Sequence, residues 1–371
     1  MYGYYLFFGR GDWGTSRDKT LDPTFGGNVK TRVLGDWGPH RQGTDLTDAP
    51  QWTSGWSLQT WKQRVDFLID PLGADTLFLL MNGHELPYPS AAFPEAVELD
   101  HANVKEEFLQ ELLDYARSRG LALAAKFCTS GHAVAYAGAH PECTTVSADG
   151  EHSRENLCHN HPKARKYAET VVKEVLGRYR GFSYVEFVPP ENVVPCCCEY
   201  CVQAYAARTG RDFLAAGVEE QAAAHRLSCL AFLREMNQTV RKILPDARMI
   251  WTVMPDLMRD SDNFLREIPA DTELLHWNYW CFEARIPEML KTLRLLQSRG
   301  HRVGLRPSAG WGLDKPGGQD CRPLVPEQVA AARANGIEDI VYLVGGIWHE
   351  ESLLATSWKR RRGQGRVARM R

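Results

Sequence analysis

PKARKYAETVVKEVLGRYRGFSYVEFVPPENVVPCCCEYC, residues 162–201, is the stretch that decides the fold. Pro162 suits the first turn of a helix, where its missing N–H would have had no intrahelical partner. That helix runs over Pro162–Tyr179. A short aromatic and β-branched run, Phe182–Val188, then reads as a strand. It ends in Pro189-Pro190-Glu191-Asn192, and a second helix follows over Glu199–Arg208. Helix, buried strand, polar turn and helix make up one repeating unit of a parallel α/β sheet.

The same alternation extends both ways. Towards the N-terminus the strand candidates are Tyr4–Phe8, Thr76–Met81 and Leu121–Phe127. Towards the C-terminus they are Arg248–Val253, Glu273–Trp277, Arg302–Leu305 and Asp339–Val344. Helices are expected over Leu58–Ile69, Val104–Arg119, Glu219–Ile243, Pro287–Arg299 and Pro326–Asn335. Gly120, Gly300 and Gly336 sit at three of the helix ends as natural stops. Eight strands with helices between them predict an α/β fold, a (β/α)8 TIM barrel. A doubly wound sheet also alternates, but no Gly-x-Gly-x-x-Gly follows the first strand and no Walker motif is present. The expected organisation is one catalytic barrel over residues 1–358 and a basic, disordered tail over 359–371.

Length agrees with this, since 371 residues suit one barrel with long loops or two ordinary domains. Apolar residues make up 44% and charged residues 24%, which excludes global disorder. No run approaches the eighteen apolar residues of a membrane helix. Met1 to Phe8 lacks a basic flank and reads as a strand, not a signal peptide, so a cytoplasmic location is expected. The net charge of −2 hides an asymmetry. Residues 359–371 carry seven basic side chains and no acid, leaving −9 on the rest. An acidic body disfavours a nucleic-acid partner. Homo-oligomerisation is compatible with such a barrel, although no interface is legible.

Barrel enzymes place their chemistry at the C-terminal ends of the strands. Here those ends supply Arg10 and Asp12, His84 and Glu85, His132, Glu191 and Asn192, Asp256, Asn278 and Trp280, Arg306 and Trp311, and Trp348, His349 and Glu350. Carboxylates among aromatic platforms, with no phosphate cradle, suit a carbohydrate substrate. One carboxyl can protonate a glycosidic oxygen while a second serves as nucleophile or base. Glu191 is the candidate acid, because the restricted Pro189-Pro190 backbone precedes it and partial burial would raise its pKa. Glu283 and Asp256 are candidates for the second carboxylate, together with Glu85 and Asp12. Trp277, Trp280, Trp311 and Trp348 would shape sugar subsites, and Arg306 would bind a carboxylate or hydroxyl. Glu186, inside its strand, reads as an interior or structural carboxylate.

The densest local signal is Cys196-x-Cys198-x-x-Cys201, three of ten cysteines. Three thiolates at this spacing can share one tetrahedral metal, with Cys158 as the fourth ligand. Zinc is the default for four sulfurs, and a closed set makes it structural. Cys197 could replace a neighbouring ligand, while Cys128, Cys143, Cys229, Cys281 and Cys321 read as small buried groups or free thiols.

His140-Pro141-Glu142, Asp149-Gly150, Leu157-Cys158-His159-Asn160-His161-Pro162, Glu191 and the cysteine cluster together resemble the first half of the family 42 β-galactosidases. The resemblance covers roughly residues 120–205. It implies a (β/α)8 glycosidase with Glu191 as acid/base and a structural zinc on Cys158, Cys196, Cys198 and Cys201. Three departures stand out. Pro190 replaces the Asn before the acid, the spacing from Glu191 to Cys196 is short, and strand seven ends in Arg306-Pro307 in place of the nucleophilic Glu. More loosely, the chain resembles barrels near the hexosaminidases and α-glucuronidases. A hexosaminidase-like enzyme would use the substrate's acetamido group as nucleophile. Two further readings remain: a carbohydrate-binding barrel without hydrolysis, and a hydrolase whose catalytic ion sits on cysteines or on His84, His132 and His349.

Overall fold

A computed structural model of the chain describes residues 31–34, 55–69, 74–83, 85–190, 195–254, 257–278, 286–307 and 325–342. Its strands are β1 (Thr31–Leu34), β2 (Ala74–Asn82), β3 (Ala122–Cys128), β4 (Thr144–Val146), β5 (His152–Leu157), β6 (Tyr184–Val188), β7 (Arg248–Val253), β8 (Thr272–Asn278), β9 (Val303–Pro307) and β10 (Asp339–Tyr342). Eight of them pair side by side in the closed order β1-β2-β3-β6-β7-β8-β9-β10, every pair parallel. The antiparallel hairpin β4–β5 stands apart from the ring.

Each step from one ring strand to the next passes through helix, as parallel pairing requires. The helices are α1 (Leu58–Ile69), α2 (Ala102–Glu106), α3 (Leu109–Ser118), α4 (Val134–Ala139), α5 (Pro162–Arg178), α6 (Glu199–Thr209), α7 (Val218–Ile243), α8 (Ser261–Glu267), α9 (Ile286–Ser298) and α10 (Val325–Ala334). The class is α/β, a parallel sheet rolled into a ring with helices outside it. Among the described residues, no helix is long and apolar enough to cross a membrane.

Side-chain alternation along the strands divides the core in two. Phe78, Ala124, Cys128, Tyr184, Val188, Ile250, Leu275, Trp277 and Val341 form a cluster made almost wholly of strand residues, the filling of the ring. Their neighbours Leu77, Leu123, Val185, Phe187, Trp251 and Leu274 belong to a larger cluster with Val65, Leu113, Val171, Leu233 and Leu293 of the helices. Strands buried on both faces carry near-continuous apolar runs. At Gly304 a Cβ would lie 2.9 Å from the Asp339 carbonyl oxygen, so β9 and β10 meet there only over a glycine. At the N-terminal ends of the strands Arg302 grips Asp339 at 2.5 and 3.0 Å.

Two expectations are corrected. The place of the first strand belongs to Thr31–Leu34, which pairs with both β10 and β2. Tyr4–Phe8, and with it Arg10 and Asp12, lies outside the described residues. The single helix expected over Val104–Arg119 is two, α2 and α3. Glu107 between them has φ 52°, and the Asn103 side chain accepts from the Leu109 amide at 2.7 Å, ending one helix and starting the next. The short α4 and the hairpin β4–β5 were not expected from the sequence.

Burial also fixes an acid response. Desolvation pushes the His101 and His276 imidazoles down to about 4. The unfolded chain takes up these protons near about pH 6.5, whereas the folded chain resists them, so stability falls as pH drops from there towards 4. Each site contributes on the order of 3 kcal/mol at full extent. His276→Gln is expected to flatten the acid limb of a thermal-stability profile. A limb of unchanged slope would show that His276 plays no part in it.

Candidate functional site

The two candidate site features lie on the long connection between β3 and β6 and on the segment that follows β6. Cys158 occupies the turn between β5 and α5. Cys196 precedes α6, Cys198 caps its N-terminus and Cys201 lies in its first turn. The four sulfurs come together within 4.8 Å of one another, three of the residues buried. Cys158 Sγ is 3.5 Å from Cys198 Sγ and 3.4 Å from Cys201 Sγ. A tetrahedral zinc with sulfurs at about 2.3 Å would set them about 3.8 Å apart, so small movements would complete the set. The surroundings suit thiolates too. The Val146 amide donates to Cys196 Sγ at 3.3 Å, and Asn160 Nδ2 donates to Cys201 Sγ at 3.3 Å. Hydrogen bonding among the sulfurs splits their acidities. Cys158 is pushed up by its bonds to Cys196, Cys198 and Cys201 and by burial, while Cys196 and Cys198 are held below the usual thiol range, chiefly by Cys158. Four sulfurs in so small a volume cannot all ionise without a cation to balance them.

Near this cluster the ends of β3 and β6 are locked together. The Val188 carbonyl accepts from the Thr129 amide at 3.1 Å and from Thr129 Oγ1 at 3.3 Å. A Cβ at Gly131 would meet Pro190 Cα at 3.4 Å, so the backbone beyond β3 lies directly against the residue preceding Glu191. His132 follows with φ 57°, the left-handed region that side-chain-bearing residues seldom adopt. The strain is held on both sides, by Leu157 N donating to Ser130 O at 2.7 Å and Ala133 N donating to Glu155 O at 2.9 Å. Strained residues of this kind gather at functional sites. The His132 Nδ1 is 3.9 Å from a Glu155 carboxylate oxygen. At the end of β2, Asn82 clamps the Cys128 main chain, donating to its carbonyl and accepting from its amide, both at 2.8 Å. Sequence reasoning assigned Asn82 no role; a lone polar residue closing an apolar strand was the available signal.

Inside the ring, Arg306 departs from its expected place. It is wholly buried, and its two terminal nitrogens bind the Glu186 carboxylate at 2.5 and 2.8 Å. Thr252 Oγ1 also donates to Glu186 and accepts from Arg306. Burial works to raise the Glu186 pKa, but the Arg306 charge and its hydrogen bonds, aided by Lys126, hold the carboxyl below its usual range. Arg306 therefore binds this chain's own Glu186 carboxylate in place of the substrate group expected for it. Trp277 is corrected as well. It is 1% exposed, inside the ring, with Lys126 Nζ 5.1 Å and the Arg306 guanidinium 5.3 Å from its ring centre. It presents no face for a sugar to stack on.

Of the other candidates, Glu85 is half-buried just past β2, and Asn278 closes β8. Arg10, Asp12, His84, Glu191, Asn192, Asp256, Trp280, Glu283 and Trp311 lie outside the described residues, as do Trp348, His349 and Glu350. Cys128, Cys143 and Cys229 are buried and form no disulfide.

A parallel α/β ring of this kind has counterparts among known proteins. Residues 95–223 match the family profile described as β-galactosidase, glycoside hydrolase family 42. That span runs from ahead of α2 into the start of α7 and takes in every cysteine of the cluster. Among solved structures, the β-galactosidase of Bacillus circulans sp. alkalophilus superposes with a TM-score of 0.60 at 14% identity, over 85% of this chain and 50% of that one. A cold-adapted β-galactosidase from Rahnella sp. R3 gives 0.62 at 11% identity, over 85% and 50%. The exo-β-N-acetylglucosaminidase of Vibrio harveyi, from glycoside hydrolase family 20, gives 0.55 at 13% identity, over 89% and 54%. The chain thus spans about half the length of these three enzymes. No curated protein matches it in sequence.

Proposed function

We propose that the chain is a glycoside hydrolase on a complete (β/α)8 barrel, with Glu191 as general acid and a structural zinc on Cys158, Cys196, Cys198 and Cys201. The observation that most supports this is the lock between Gly131 and Pro190, within a segment that matches a β-galactosidase profile. It sets the chain entering Glu191 against the end of the neighbouring strand, at the face where barrels of this kind do their chemistry.

In this reading Glu191 donates its proton to the glycosidic oxygen as the bond to the anomeric carbon breaks. Glu283 or Asp256 supplies the second carboxylate, attacking that carbon or activating a water. Two carboxyls about 5 Å apart would retain configuration, and a gap of about 6.5–9.5 Å, wide enough for water, would invert it. Arg10, Asp12, His84, Glu85, Asn192, Asn278, Trp280 and Trp311 are the candidates to hold the sugar. The zinc would have no open position, so its part is to fix the loops.

The test is hydrolysis of chromogenic β-galactoside, β-glucoside, N-acetyl-β-glucosaminide and α-glucuronide by the wild type and by Glu191→Gln. Loss of a positioned general acid should lower kcat by about 10²- to 10⁴-fold, and the substrate that responds names the sugar. Equal rates in the two proteins would show that another residue is the acid. Saccharide binding without turnover would favour a binding barrel. Turnover confined to the N-acetyl substrate would favour acetamido participation.

A further inference from the structure

Three consecutive residues past β5 tie the sulfur cluster to its surroundings. Cys158 enters the sulfur cluster. Asn160 donates to Cys201 Sγ at 3.3 Å and to Ser228 Oγ of α7 at 3.2 Å. Between them His159, 1% exposed, reaches the other way, its Nε2 2.6 Å from Ser130 Oγ. Its Nδ1 has no hydrogen-bond partner among the described residues, so Ser130 is the one polar tie of the ring there. The rest of the ring is wedged against His225 and Phe232 of α7, at 5.3 and 5.8 Å between ring centres, and Arg165 holds the His159 carbonyl at 2.9 Å. A side chain fixed on every other side transmits displacement through the bond it does make.

That bond ends one residue before Gly131, whose backbone lies against Pro190. From cluster to turn, the contacts run Cys158, His159, Ser130, Gly131, Pro190. We propose that His159 is a positioning residue, carrying the geometry of the four-cysteine cluster through Ser130 and Gly131 to Pro190, the residue next to Glu191 in sequence. The inference rests on the reading of Glu191 as the acid and goes beyond it. It gives the cluster a second role, holding the acid in register as well as holding the fold. His159 touches no substrate in this account. Misplacement of a reacting group by about 1 Å can cost about 100-fold in rate, far more than in binding.

Ser130→Ala removes the hydroxyl, and His159→Phe removes the ring nitrogen while keeping a ring to pack on Phe232. Both are compared with the wild type for metal content, for kcat and KM on whichever glycoside it hydrolyses, and for amide exchange in peptides covering residues 128–133 and 186–198. Wild-type metal content, a kcat lower by about 10- to 100-fold, KM within about two-fold and faster exchange in both peptides are expected. The double variant should be no slower than either single one. His159→Gln, whose amide can reach Ser130, should recover most of the rate. Unchanged exchange in Ser130→Ala overturns the proposal whatever the wild type hydrolyses. Faster exchange with unchanged kcat in an active background overturns it too. Faster exchange in a protein that hydrolyses no glycoside leaves the coupling standing and removes the assignment of Glu191.

Discussion

Cys198→Ser is expected to abolish binding of the zinc proposed for the cysteine cluster and to remove much of the chain's stability. Structural zinc is bound with an apparent free energy of about 10–16 kcal/mol in small zinc peptides, where binding and folding are one event. A whole domain is stable by only about 5–15 kcal/mol. In this chain the cluster joins the β5–α5 turn to the start of α6, and Cys196 reaches the hairpin through the Val146 amide. The ring has its own core, so it need not unfold outright, but the connection from β3 to β6 loses its cross-link. A fall in Tm on the order of 10 °C or more is expected. Metal analysis should give about one zinc per wild-type chain and none in the variant. A wild type free of metal, melting with the variant, would remove the site.

Arg306→Met should cost about 3–5 kcal/mol at neutral pH, the usual penalty for stranding one member of a buried ion pair. Methionine fills much of the same space, so the loss falls on Glu186, left ionised at 0% exposure. The pH dependence separates this from a packing defect. In the wild type the Glu186 pKa is depressed, so the stability the pair contributes is present above the unfolded carboxyl pKa and fades as pH falls below it. In the variant, burial without Arg306 raises that pKa, so the folded state takes up a proton and gains stability as pH falls. The two denaturation midpoints in urea should therefore converge from pH 7 to pH 4. A gap of constant size would mean that the arginine acts only by filling space.

Much of this architecture is legible in the sequence. Seven of the eight ring strands appear as apolar runs because parallel strands are buried on both faces. Three of the four clustered sulfurs were legible because Cys196, Cys198 and Cys201 share a short-range spacing, and Cys158 because it precedes the helix that leads into the same strand. The first strand was not, since Thr31-Arg32-Val33-Leu34 is short and half polar while Tyr4–Phe8 is longer and more apolar. Its strand character comes from two partners, β2 and β10, one of them far away in sequence. Arg306 misled for a similar reason. A charge near a strand end suggests an open rim, and nothing local signals that its partner Glu186 lies 120 residues earlier. The break at Glu107 depends on one side chain, Asn103, that could equally have pointed to solvent.

Closure of the ring has a kinetic consequence. Thr31 pairs with Ile340, about 300 residues later. Until β10 is in place the ring is an open curved sheet with two exposed edges, each a row of unpaired amides and carbonyls. During synthesis at about 5–20 residues per second, those edges stay open for tens of seconds after β1 and β2 have emerged. Contacts so distant in sequence are won late, after the entropy of a very long loop has been lost. The chain should populate a partly folded intermediate in which β2, β3 and β6 with their helices are native and β1 is still unclasped. In that interval it is most exposed to self-association, and most dependent on chaperones.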